Sequence, residues 1–344
     1  MKAARWIYGA LGTLLLLSLA ATPQTVLGQA PAQYTFATVA NMNHLPEFVG
    51  IEKGFFVKHG LDLKMKALNT GSEVARAFQS GDAQFVSQSP TTQAASARNG
   101  IRLMAVCVIL GDASRSRFDD MFAITARSGS GIRPGHVEDL IGKRVGLSLA
   151  STEEEYLRLA LDRANSPADK VQIVNVPPPD HVSVMRSGSV DAEATWEPYG
   201  TMILDQIPGA ILVQRGGNYL GYTLWMGSSA DYVGKNPQVM QKLVDAMAES
   251  QAYVRAHPAE AAQIATHWIE GLDAKSAQKA VKYMQFDPRF GKNTIAAANL
   301  EQNYLMQNKR IQQTIDYSQT TTMTFVDKAM KTEPQFFKDL KSIK

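Results

Sequence analysis

The sequence predicts an α/β fold, and two observations support it. Short strand-like runs alternate with helical patterns between residues 34 and 228. From residue 231 onward the chain changes to long helical patterns without strand signals. The chain also has one cysteine, so its stability depends on a packed core and not on an internal disulfide. These features favour two βα series followed by a helical C-terminal part.

The first thirty residues have the layout of a signal peptide. Two basic residues precede an apolar run at 7–21, and small residues follow at 28–30. We expect cleavage after Ala30, with cleavage near Ala21 as the alternative. The apolar run is shorter than the ~20 residues that a membrane-spanning helix needs, so the mature protein is expected to be soluble. A lipid anchor would need a cysteine at the cleavage point, and Cys107 is far from it.

The first βα series ends at residue 110, before a polar loop at 111–120. Its predicted strands are 34–39, 61–67, 83–86 and 103–110, and its predicted helices are 46–58, 69–79 and one that begins after Ser89. Thr70 and Glu73 have the spacing of a capping box, which places a helix start there.

The second series follows the same alternation and leads into the helical part. Its predicted strands are 121–125, 143–149, 171–176, 191–195 and 221–228. Its predicted helices are 137–141, 152–164 and one after the stiff proline spacer at 177–179. The C-terminal helices are predicted at 237–257, 258–269, 274–284 and 296–317. We expect these C-terminal helices to pack around the first βα series and along the cleft between the two series.

Charge and motif content exclude several classes of function. The formal charge of +3 moves toward zero when Lys2 and Arg5 leave with the signal peptide, and the other charges are mixed in sign, so no nucleic-acid partner is expected. HExxH, CxxC, GxSxG and GxGxxG motifs are missing, and the six histidines have no metal-ligand spacing. We therefore expect a protein that is not an enzyme and has no metal or cofactor.

Four segments occur in a recognisable order and spacing. They are LPEFVGIEKGFFVKHGLD at 45–62, SGDAQF at 80–85, LIGKRVG at 140–146, and SGSVDA at 187–192 with WEPY at 196–199. In this arrangement the chain resembles the periplasmic substrate-binding proteins of the nitrate, sulfonate, taurine and thiamine-precursor ABC transporters. The resemblance implies a two-lobed periplasmic-binding-protein fold of type II with two crossovers, and C-terminal helices packed mainly on the first lobe.

The resemblance also implies how the chain is divided and what it does. The expected parts are a signal peptide at 1–30, lobe 1 at 31–120 and 227–344, and lobe 2 at 121–226. A small-molecule solute is expected in the cleft between the lobes, which close about crossovers near 118–121 and 223–226. The expected partner is the transporter permease in the inner membrane, and the protein is expected to be a periplasmic monomer.

Two segments of the first lobe are candidates for ligand contact. In open α/β sheets, ligands bind beyond the carboxyl ends of strands, where helix N-termini offer free N–H groups. Asn43 and His44 follow the first strand and have side chains that suit an anion, although a turn with a helix cap explains them equally well. Gln88, Ser89 and Thr91 lie where a helix begins without an acid in its first turn, so its partial positive charge is uncompensated.

Two segments of the second lobe complete the candidate site. Ser151 and Thr152 are hydrogen-bond donors at a helix start, but the glutamates at 153–155 crowd that turn and disfavour tight capture of an anion. Trp196 offers a flat wall, and Glu197 a carboxylate for an amine. The alternative places Trp196 in the core and pairs Glu197 with a neighbouring arginine.

These charges favour a neutral or zwitterionic ligand, such as a taurine-like sulfonate, over nitrate. The preference for a neutral or zwitterionic ligand would be overturned if the loop that carries Arg115 and Arg117 folds over the cleft. The second ligand class is a pyrimidine, thiamine-precursor or aromatic compound stacked on Trp196, Tyr199 or Tyr222. Two alternatives belong to other classes of function: an enzyme of vitamin biosynthesis with this fold, and a sensor subunit that reports a ligand to a membrane receptor.

Overall fold

The computed structural model describes residues 33–97, 100, 102–149 and 151–343. The predicted signal peptide at 1–30 lies outside these residues. Within the described ranges, no helix has both the length and the apolar character needed to cross a membrane.

The strands of the described chain form two mixed five-stranded sheets. In chain order they are β1 (Gln33–Val39), β2 (Asp62–Leu68), β3 (Phe85–Gln88), β4 (Leu103–Leu110), β5 (Phe122–Ala126), β6 (Arg144–Leu147), β7 (Gln172–Asn175), β8 (Ala192–Trp196), β9 (Ile211–Arg215) and β10 (Leu224–Ser229). The first sheet has the order β2-β1-β3-β10-β4 and the second β7-β6-β8-β5-β9. The predicted α/β class is confirmed.

Each sheet combines a parallel core with antiparallel pairs. β1 pairs in parallel with β2 and β3, and β6 pairs in parallel with β7 and β8. β10 is antiparallel to β3 and β4, and β5 is antiparallel to β8 and β9. The parallel strands therefore point their carboxyl ends toward the same edge of each sheet, where ligands of α/β proteins bind.

Helices surround both sheets. In chain order they are α1 (Leu45–Glu52), α2 (Phe55–Lys58), α3 (Gly71–Gln79), α4 (Pro90–Ala97), α5 (Thr152–Arg163), α6 (His181–Ser187), α7 (Tyr199–Gln206), α8 (Ala230–Lys235), α9 (Pro237–Ala256), α10 (Pro258–Ala265), α11 (Ala274–Ala280), α12 (Lys292–Gln307), α13 (Tyr317–Thr320) and α14 (Thr324–Thr332). Short 3-10 helices lie at Met42–His44, Val137–Leu140, Ala168–Lys170, Pro178–Asp180, Val281–Tyr283 and Pro334–Phe336.

The C-terminal helices pack mainly on the first sheet and its helices. α9 contacts α1, α2 and β4, α14 contacts α9 and β4, and α12 contacts α4. α9 begins with Pro237, which suits a first helical position because its missing N–H would be unsatisfied there anyway. Its buried residues Met240, Leu243, Val244 and Met247 follow the spacing of a helix with one apolar face. α11 instead contacts α7 beside the second sheet.

The strand predicted at 221–228 belongs to a different sheet from the one expected. The structure places it as β10 between β3 and β4 of the first sheet, not at the close of the second series. Its residues are buried on both faces, so the sequence shows that it is a core strand but not which sheet it joins. The predicted hinge at 223–226 therefore lies mostly within a strand.

Other differences concern the length of one helix and two elements that the sequence did not indicate. The helix predicted at 296–317 begins earlier and ends at Gln307, and Ile311 beyond it is buried in irregular structure. α7 and β9 were not predicted, because both are short and lie close to turn residues. The predicted cap of α3 is confirmed, since the Thr70 side chain accepts from the Glu73 N–H.

Two crossovers connect the sheets, at 111–121 and 216–223. They run side by side, and the Phe118 N–H donates to the Leu220 carbonyl at 3.1 Å while the Tyr222 N–H donates to the Phe118 carbonyl at 3.0 Å. The lobe boundaries predicted from the sequence stay a prediction, as does rotation about these segments.

Candidate functional site

A cavity of about 750 Å³ lies where the carboxyl ends of β1, β3, β6 and β8 approach the first turns of α4 and α5. Besides two arginines, its polar lining residues are Asn41, His44, Asn69, Thr70, Ser72, Gln79, Ser87, Gln88, Ser89, Thr91, Thr92, Ser148, Ser151 and Thr152. Its larger apolar lining residues are Val39, Leu149, Trp196, Tyr222, Leu224, Leu305 and Ile311. Strand ends and helix starts from both sheets thus contribute to one site, as the topology of open α/β sheets predicts.

The charges of the lining favour an anion. Among the described residues, no aspartate or glutamate lines the cavity, whereas the cationic residues Arg76 and Arg310 do. Arg76 is exposed on α3, and within the described chain its guanidinium has no ion-pair partner. Arg310 donates to Glu154 Oε1 at 2.6 Å. A cavity with this lining attracts negatively charged solutes and does not offer a carboxylate to an amine.

Two buried side chains face the cavity with polar atoms that lack partners. Gln88 is 3% exposed, and within the described residues neither its amide nitrogen nor its amide oxygen has a hydrogen-bond partner. The Trp196 Nε1 is likewise buried and unpaired there. Buried polar atoms are usually hydrogen-bonded, because leaving one unpaired costs roughly 1–3 kcal/mol. Gln88 and Trp196 are therefore positioned to bond a ligand.

His44 is held by a buried network behind the cavity wall. Its Nδ1 lies 3.0 Å from Glu47 Oε1 and 2.9 Å from Ser87 Oγ, and Ser87 Oγ donates to Glu47 Oε1 at 2.9 Å. Only Nδ1 takes part in these bonds, so Nε2 is left for a ligand. The network does not resemble a serine nucleophile, because a serine and a carboxylate would then use different ring nitrogens.

Cys107 is also unsuited to nucleophilic chemistry. It lies in β4, is fully buried, and donates to the carbonyl groups of Val108 and Pro288. Burial raises the pKa of its thiol, with a smaller contribution from the charges of Asp287 and Glu47. A reactive cysteine needs the opposite shift, toward the thiolate.

The first turn of α4 has the predicted cap. Ser89 Oγ accepts from the Thr92 N–H at 3.1 Å, so Ser89 both caps α4 and lines the cavity. Thr91 Oγ1 donates to Glu301 Oε2 at 2.6 Å. The Thr91 hydroxyl is thus already engaged, although the residue lies in the cavity wall.

The glutamates of α5 are directed away from the cavity. Glu153 accepts from the Ser148 N–H at 2.6 Å and from Thr195 Oγ1 at 2.7 Å, and its Oε1 lies 3.2 Å from His181 Nε2. Glu154 pairs with arginines, and Glu155 is buried, so none of the three lines the main cavity. The sequence disfavoured an anion at this helix start unless the carboxylates point away, and in the structure none of the three glutamates lines the main cavity.

Ser151 and Thr152 lie at this helix start and line the cavity. Ser151 Oγ accepts from the Glu153 N–H at 3.1 Å and donates to the Ser148 carbonyl at 2.6 Å. The Thr152 side chain hydrogen-bonds with the Tyr222 hydroxyl, which also accepts from Asn43 Nδ2 at 3.3 Å. Burial raises the pKa of Tyr222, so its hydroxyl stays protonated and links both lobes.

Two predicted site residues do not line the cavity. Glu197 is fully buried, accepts from the Thr201 N–H at 3.1 Å and from Thr201 Oγ1 at 2.8 Å, and forms an ion pair with Arg215. This is the alternative in which Glu197 pairs with a neighbouring arginine. Asn43 lies behind the wall with its side chain on Tyr222.

The arginines of the polar loop are also engaged elsewhere. Arg115 pairs with Asp112 and Asp120, and Arg117 donates to backbone carbonyls of the second crossover. The cavity instead receives Arg76 and Arg310, which sequence reasoning missed. A single arginine on a polar helix or loop gives no sequence signal that separates it from ordinary surface charge.

The sequence of this chain is similar to those of known binding proteins. The family described as NMT1/THI5 like matches residues 41–261. A putative binding protein of Brucella abortus (strain 2308) is 23% identical over 64% of this chain and 66% of its own length. The taurine-binding periplasmic protein of Escherichia coli (strain K12) is 26% identical over 59% of this chain and 61% of its own length. The chain thus aligns with somewhat less than two thirds of these relatives.

The fold is shared with solved structures. The periplasmic aliphatic sulphonate binding protein from Escherichia coli superposes with a TM-score of 0.70 at 18% identity, over 84% of this chain and 97% of that one. At this identity the likeness supports the two-lobed fold predicted from the sequence. Because the family match covers well over half of the chain, this protein belongs to the NMT1/THI5-like family.

Proposed function

We propose that this protein is the solute-binding component of an ABC-type importer and that it binds a small organic anion between its lobes. This proposal rests on the buried, unpaired polar atoms of Gln88 and Trp196, because a bound ligand would complete their hydrogen bonds. The lining arginines and the lack of lining carboxylates among the described residues favour an anionic ligand. Two of the relatives given above are named for binding taurine and aliphatic sulphonates, which supports the same class of ligand.

The size of the cavity favours an organic anion over nitrate. Its volume of about 750 Å³ lies within the range of ~300–1,000 Å³ that is typical of pockets for drug-sized ligands. Leu224, Leu305 and Ile311 offer an apolar surface for an alkyl or aryl group. We infer that a sulfonate or similar head group bonds Gln88 and Trp196 while its apolar part contacts these side chains.

The contact residues follow from this placement. We propose that His44, Gln88, Ser89, Thr91, Ser151, Thr152 and Trp196 contact the ligand, and that Arg76 and Arg310 attract it at the mouth. Asn43 acts behind the wall through Tyr222, and Glu197 stabilises the second lobe. A ligand that carries an amino group fits this site only if the amino group does not need Glu197 as its partner.

Hinge closure about the two crossovers traps the ligand and presents a closed surface to a membrane permease. In this proposal the protein acts in the periplasm as a monomer after removal of its signal peptide, and it performs no chemical step. The relatives given above are named as binding proteins, two of them as periplasmic ones, which supports this placement.

Calorimetric binding of 1-hexanesulfonate tests the proposal, with 1-hexanol and hexylamine as controls of the same chain length. We expect the sulfonate to bind and both controls to bind at least about tenfold more weakly, which is ~1.4 kcal/mol. Gln88→Leu keeps the shape but removes the amide, and we expect it to weaken sulfonate binding by about tenfold or more. Equal binding of hexanol, or unchanged affinity in Gln88→Leu, would contradict the proposed site.

Arg76 provides a second test with a matched control. Arg76→Gln should weaken sulfonate binding several-fold at low salt, and the difference should shrink as ionic strength rises, since exposed charges are screened. Arg163 is also exposed, but it lies in the last turn of α5, away from the cavity lining. Arg163→Gln removes the same charge and should leave the affinity unchanged.

A further inference from the structure

The buried amide group of Gln88 has more hydrogen-bonding capacity than a simple anion satisfies. Its nitrogen donates and its oxygen accepts, and among the described residues neither atom has a partner. Turning the amide group over exchanges the two atoms and still leaves one free donor and one free acceptor. An anionic oxygen, such as that of a sulfonate, only accepts, so it bonds the nitrogen but not the oxygen. The Gln88 oxygen therefore needs a donor from another group.

The hydroxyl groups on either side of Gln88 in the chain do not supply this donor. Ser87 Oγ donates to Glu47 Oε1 at 2.9 Å. Ser89 Oγ donates to Thr92 Oγ1 at 3.2 Å. A hydroxyl group has one proton, so neither serine has a second proton for the Gln88 oxygen. Because a buried acceptor without a partner is costly, a ligand with its own N–H or O–H group gains affinity at this point.

The charges of the cavity lining favour a neutral donor over an ammonium group. Within the described ranges, the lining contains no aspartate or glutamate, but it contains Arg76 and Arg310. An ammonium group in this cavity would lose water, find no carboxylate and be repelled by two like charges. An amide N–H or a hydroxyl group donates without carrying a charge. The lining therefore suits a ligand whose donor is neutral.

The position of the donor within the ligand follows from the geometry of an amide group. The nitrogen and oxygen of Gln88 are attached to the same carbon, so the ligand groups that bond them lie close together. The indole N–H of Trp196, which is buried and unpaired in the described protein, offers a further bond to the anionic group. The side chains of Leu224, Leu305 and Ile311 line the same cavity and contact the rest of the ligand.

We propose that the ligand is an organic anion with a neutral N–H or O–H donor close to its charged group, and that the Gln88 amide bonds both groups. An N-acylated aminosulfonate or a hydroxysulfonate has this chemistry. Its sulfonate accepts from the Gln88 nitrogen and from Trp196 Nε1, and its N–H or O–H group donates to the Gln88 oxygen. This inference rests on the proposed function and narrows the class of anion. A plain alkanesulfonate binds too, but it leaves the Gln88 oxygen unpaired.

Calorimetric binding of two ligands that differ in one group tests this pairing. One ligand, 2-(hexanoylamino)ethanesulfonate, has an amide N–H, and the other, 2-(hexanoyloxy)ethanesulfonate, has an ester oxygen in its place. We expect the wild type to bind the amide about tenfold or more tightly, because the ester places a second acceptor against the Gln88 oxygen. Equal affinities of the wild type for the two ligands would overturn the proposal.

Two variants identify the protein group that accepts from the ligand. Gln88→Leu removes the amide group, so it should bind the amide and ester ligands with similar affinity. The competing acceptor is Thr91 Oγ1, which donates its proton to Glu301 at 2.6 Å and keeps its lone pairs. Thr91→Val should therefore retain the preference for the amide ligand, even if it binds both ligands less tightly. A preference that persists in Gln88→Leu, or that disappears only in Thr91→Val, would contradict the pairing with Gln88.

A third ligand tests the charge of the donor. In 2-(hexylamino)ethanesulfonate the carbonyl group is replaced by a methylene group, and the nitrogen becomes a charged ammonium donor. We expect the wild type to bind it at least several-fold more weakly than the amide ligand, because the described cavity lining has arginines and no carboxylate. Equal or tighter binding of the ammonium ligand would contradict a neutral donor.

The outcomes distinguish a failure of this inference from a failure of the proposed function. If 1-hexanesulfonate binds and the amide and ester ligands bind alike, only this inference fails. If no sulfonate binds, the proposed class of anion fails, and a neutral pair of ligands decides the pairing with Gln88. N-ethylhexanamide should then bind about tenfold or more tightly than ethyl hexanoate. Equal binding of these two ligands, or binding of neither, would overturn the pairing as well.

Discussion

At the scale of single residues, the environment of a side chain decides its role more than its chemical type does. Gln88 is the last residue of β3 and Glu197 directly follows β8, so both lie at the carboxyl edge of a sheet. Glu197 is satisfied by Thr201 and Arg215, whereas Gln88 has no partner in the described protein. Gln88 is therefore the better candidate for the ligand, and Glu197 the better candidate for stability.

Replacing Glu197 should lower stability without changing ligand preference. Arg215 is 12% exposed at its side chain, and its guanidinium carbon lies 3.9 Å from the centroid of the Tyr283 ring. Glu197→Gln leaves this arginine without its counter-charge, and we expect a loss of about 3 kcal/mol in the free energy of unfolding. Denaturant unfolding measures this loss.

An exposed ion pair serves as the control. Asp231 and Lys235 pair within α8 with side chains that are 73% and 72% exposed, so Asp231→Asn should cost less than about 1 kcal/mol. If Glu197→Gln kept its stability and instead shifted the preference between taurine and ethanesulfonate, Glu197 would contact the ligand after all.

At the scale of elements, α5 presents its first turn to the cavity because its carboxylates are held elsewhere. His181 of α6 lies 3.2 Å from Glu153 and 2.8 Å from Glu193, and all three side chains are fully buried. Burial by itself would lower the pKa of His181, but the charge of Glu153 and the hydrogen bonds with both glutamates raise it to about 10. A charged His181 therefore holds Glu153 beneath the sheet edge.

This arrangement predicts a pH-dependent contribution to stability. Because the pKa of His181 is raised in the folded state, its stabilisation is complete below about pH 6.5, the ordinary value for histidine, and is lost as the pH rises toward about 10. We expect the stability advantage of the wild type over His181→Gln to shrink by about 4 kcal/mol over that window. Denaturant unfolding at several pH values measures it.

The matched control is an exposed histidine. His136 pairs with Glu138 at 2.7 Å with side chains that are 43% and 47% exposed. His136→Gln should give an unfolding profile parallel to that of the wild type across the same pH range. If the stability advantage of the wild type over His181→Gln stayed constant with pH, His181 would be neutral in the folded protein.

At the scale of the whole molecule, one buried aspartate joins the two crossovers. The Asp119 carboxylate accepts from the N–H groups of Asn218, Tyr219 and Leu220 at 3.0, 2.6 and 3.4 Å. Burial raises the pKa of Asp119, and these three bonds oppose the shift. The crossovers are thus fixed to one another, so that any rotation of the lobes involves both.

Replacing Asp119 should loosen this junction. Asp119→Asn exchanges an accepting oxygen for a donating NH₂ group, and we expect a loss of about 2 kcal/mol in the free energy of unfolding. Amide hydrogen exchange at residues 218–220 should become faster than in the wild type. The neighbouring Asp120, whose side chain is 45% exposed and pairs with Arg115, is the control. Equal effects of Asp119→Asn and Asp120→Asn would contradict the role of Asp119.

The sequence alone determined the fold class and several helix starts, because these depend on local patterns. Alternation of strands and helices predicted the α/β class, and short-range capping signals placed Thr70 and Ser89 at helix starts. The motif order predicted the family and the two-lobed fold, both of which are confirmed. The segments at the carboxyl ends of β1, β3 and β8 and before α5 were also found from topology alone.

Only the tertiary structure decided which polar groups are free. Glu153 and Glu197 look as available in the sequence as Gln88, but their partners His181 and Arg215 come from distant parts of the chain. Arg76 and Arg310 likewise reach the cavity from elements that meet only in the folded protein. Local patterns are set by neighbours along the chain, whereas the charge and hydrogen bonding of a cavity are set by long-range packing, which a single sequence does not show.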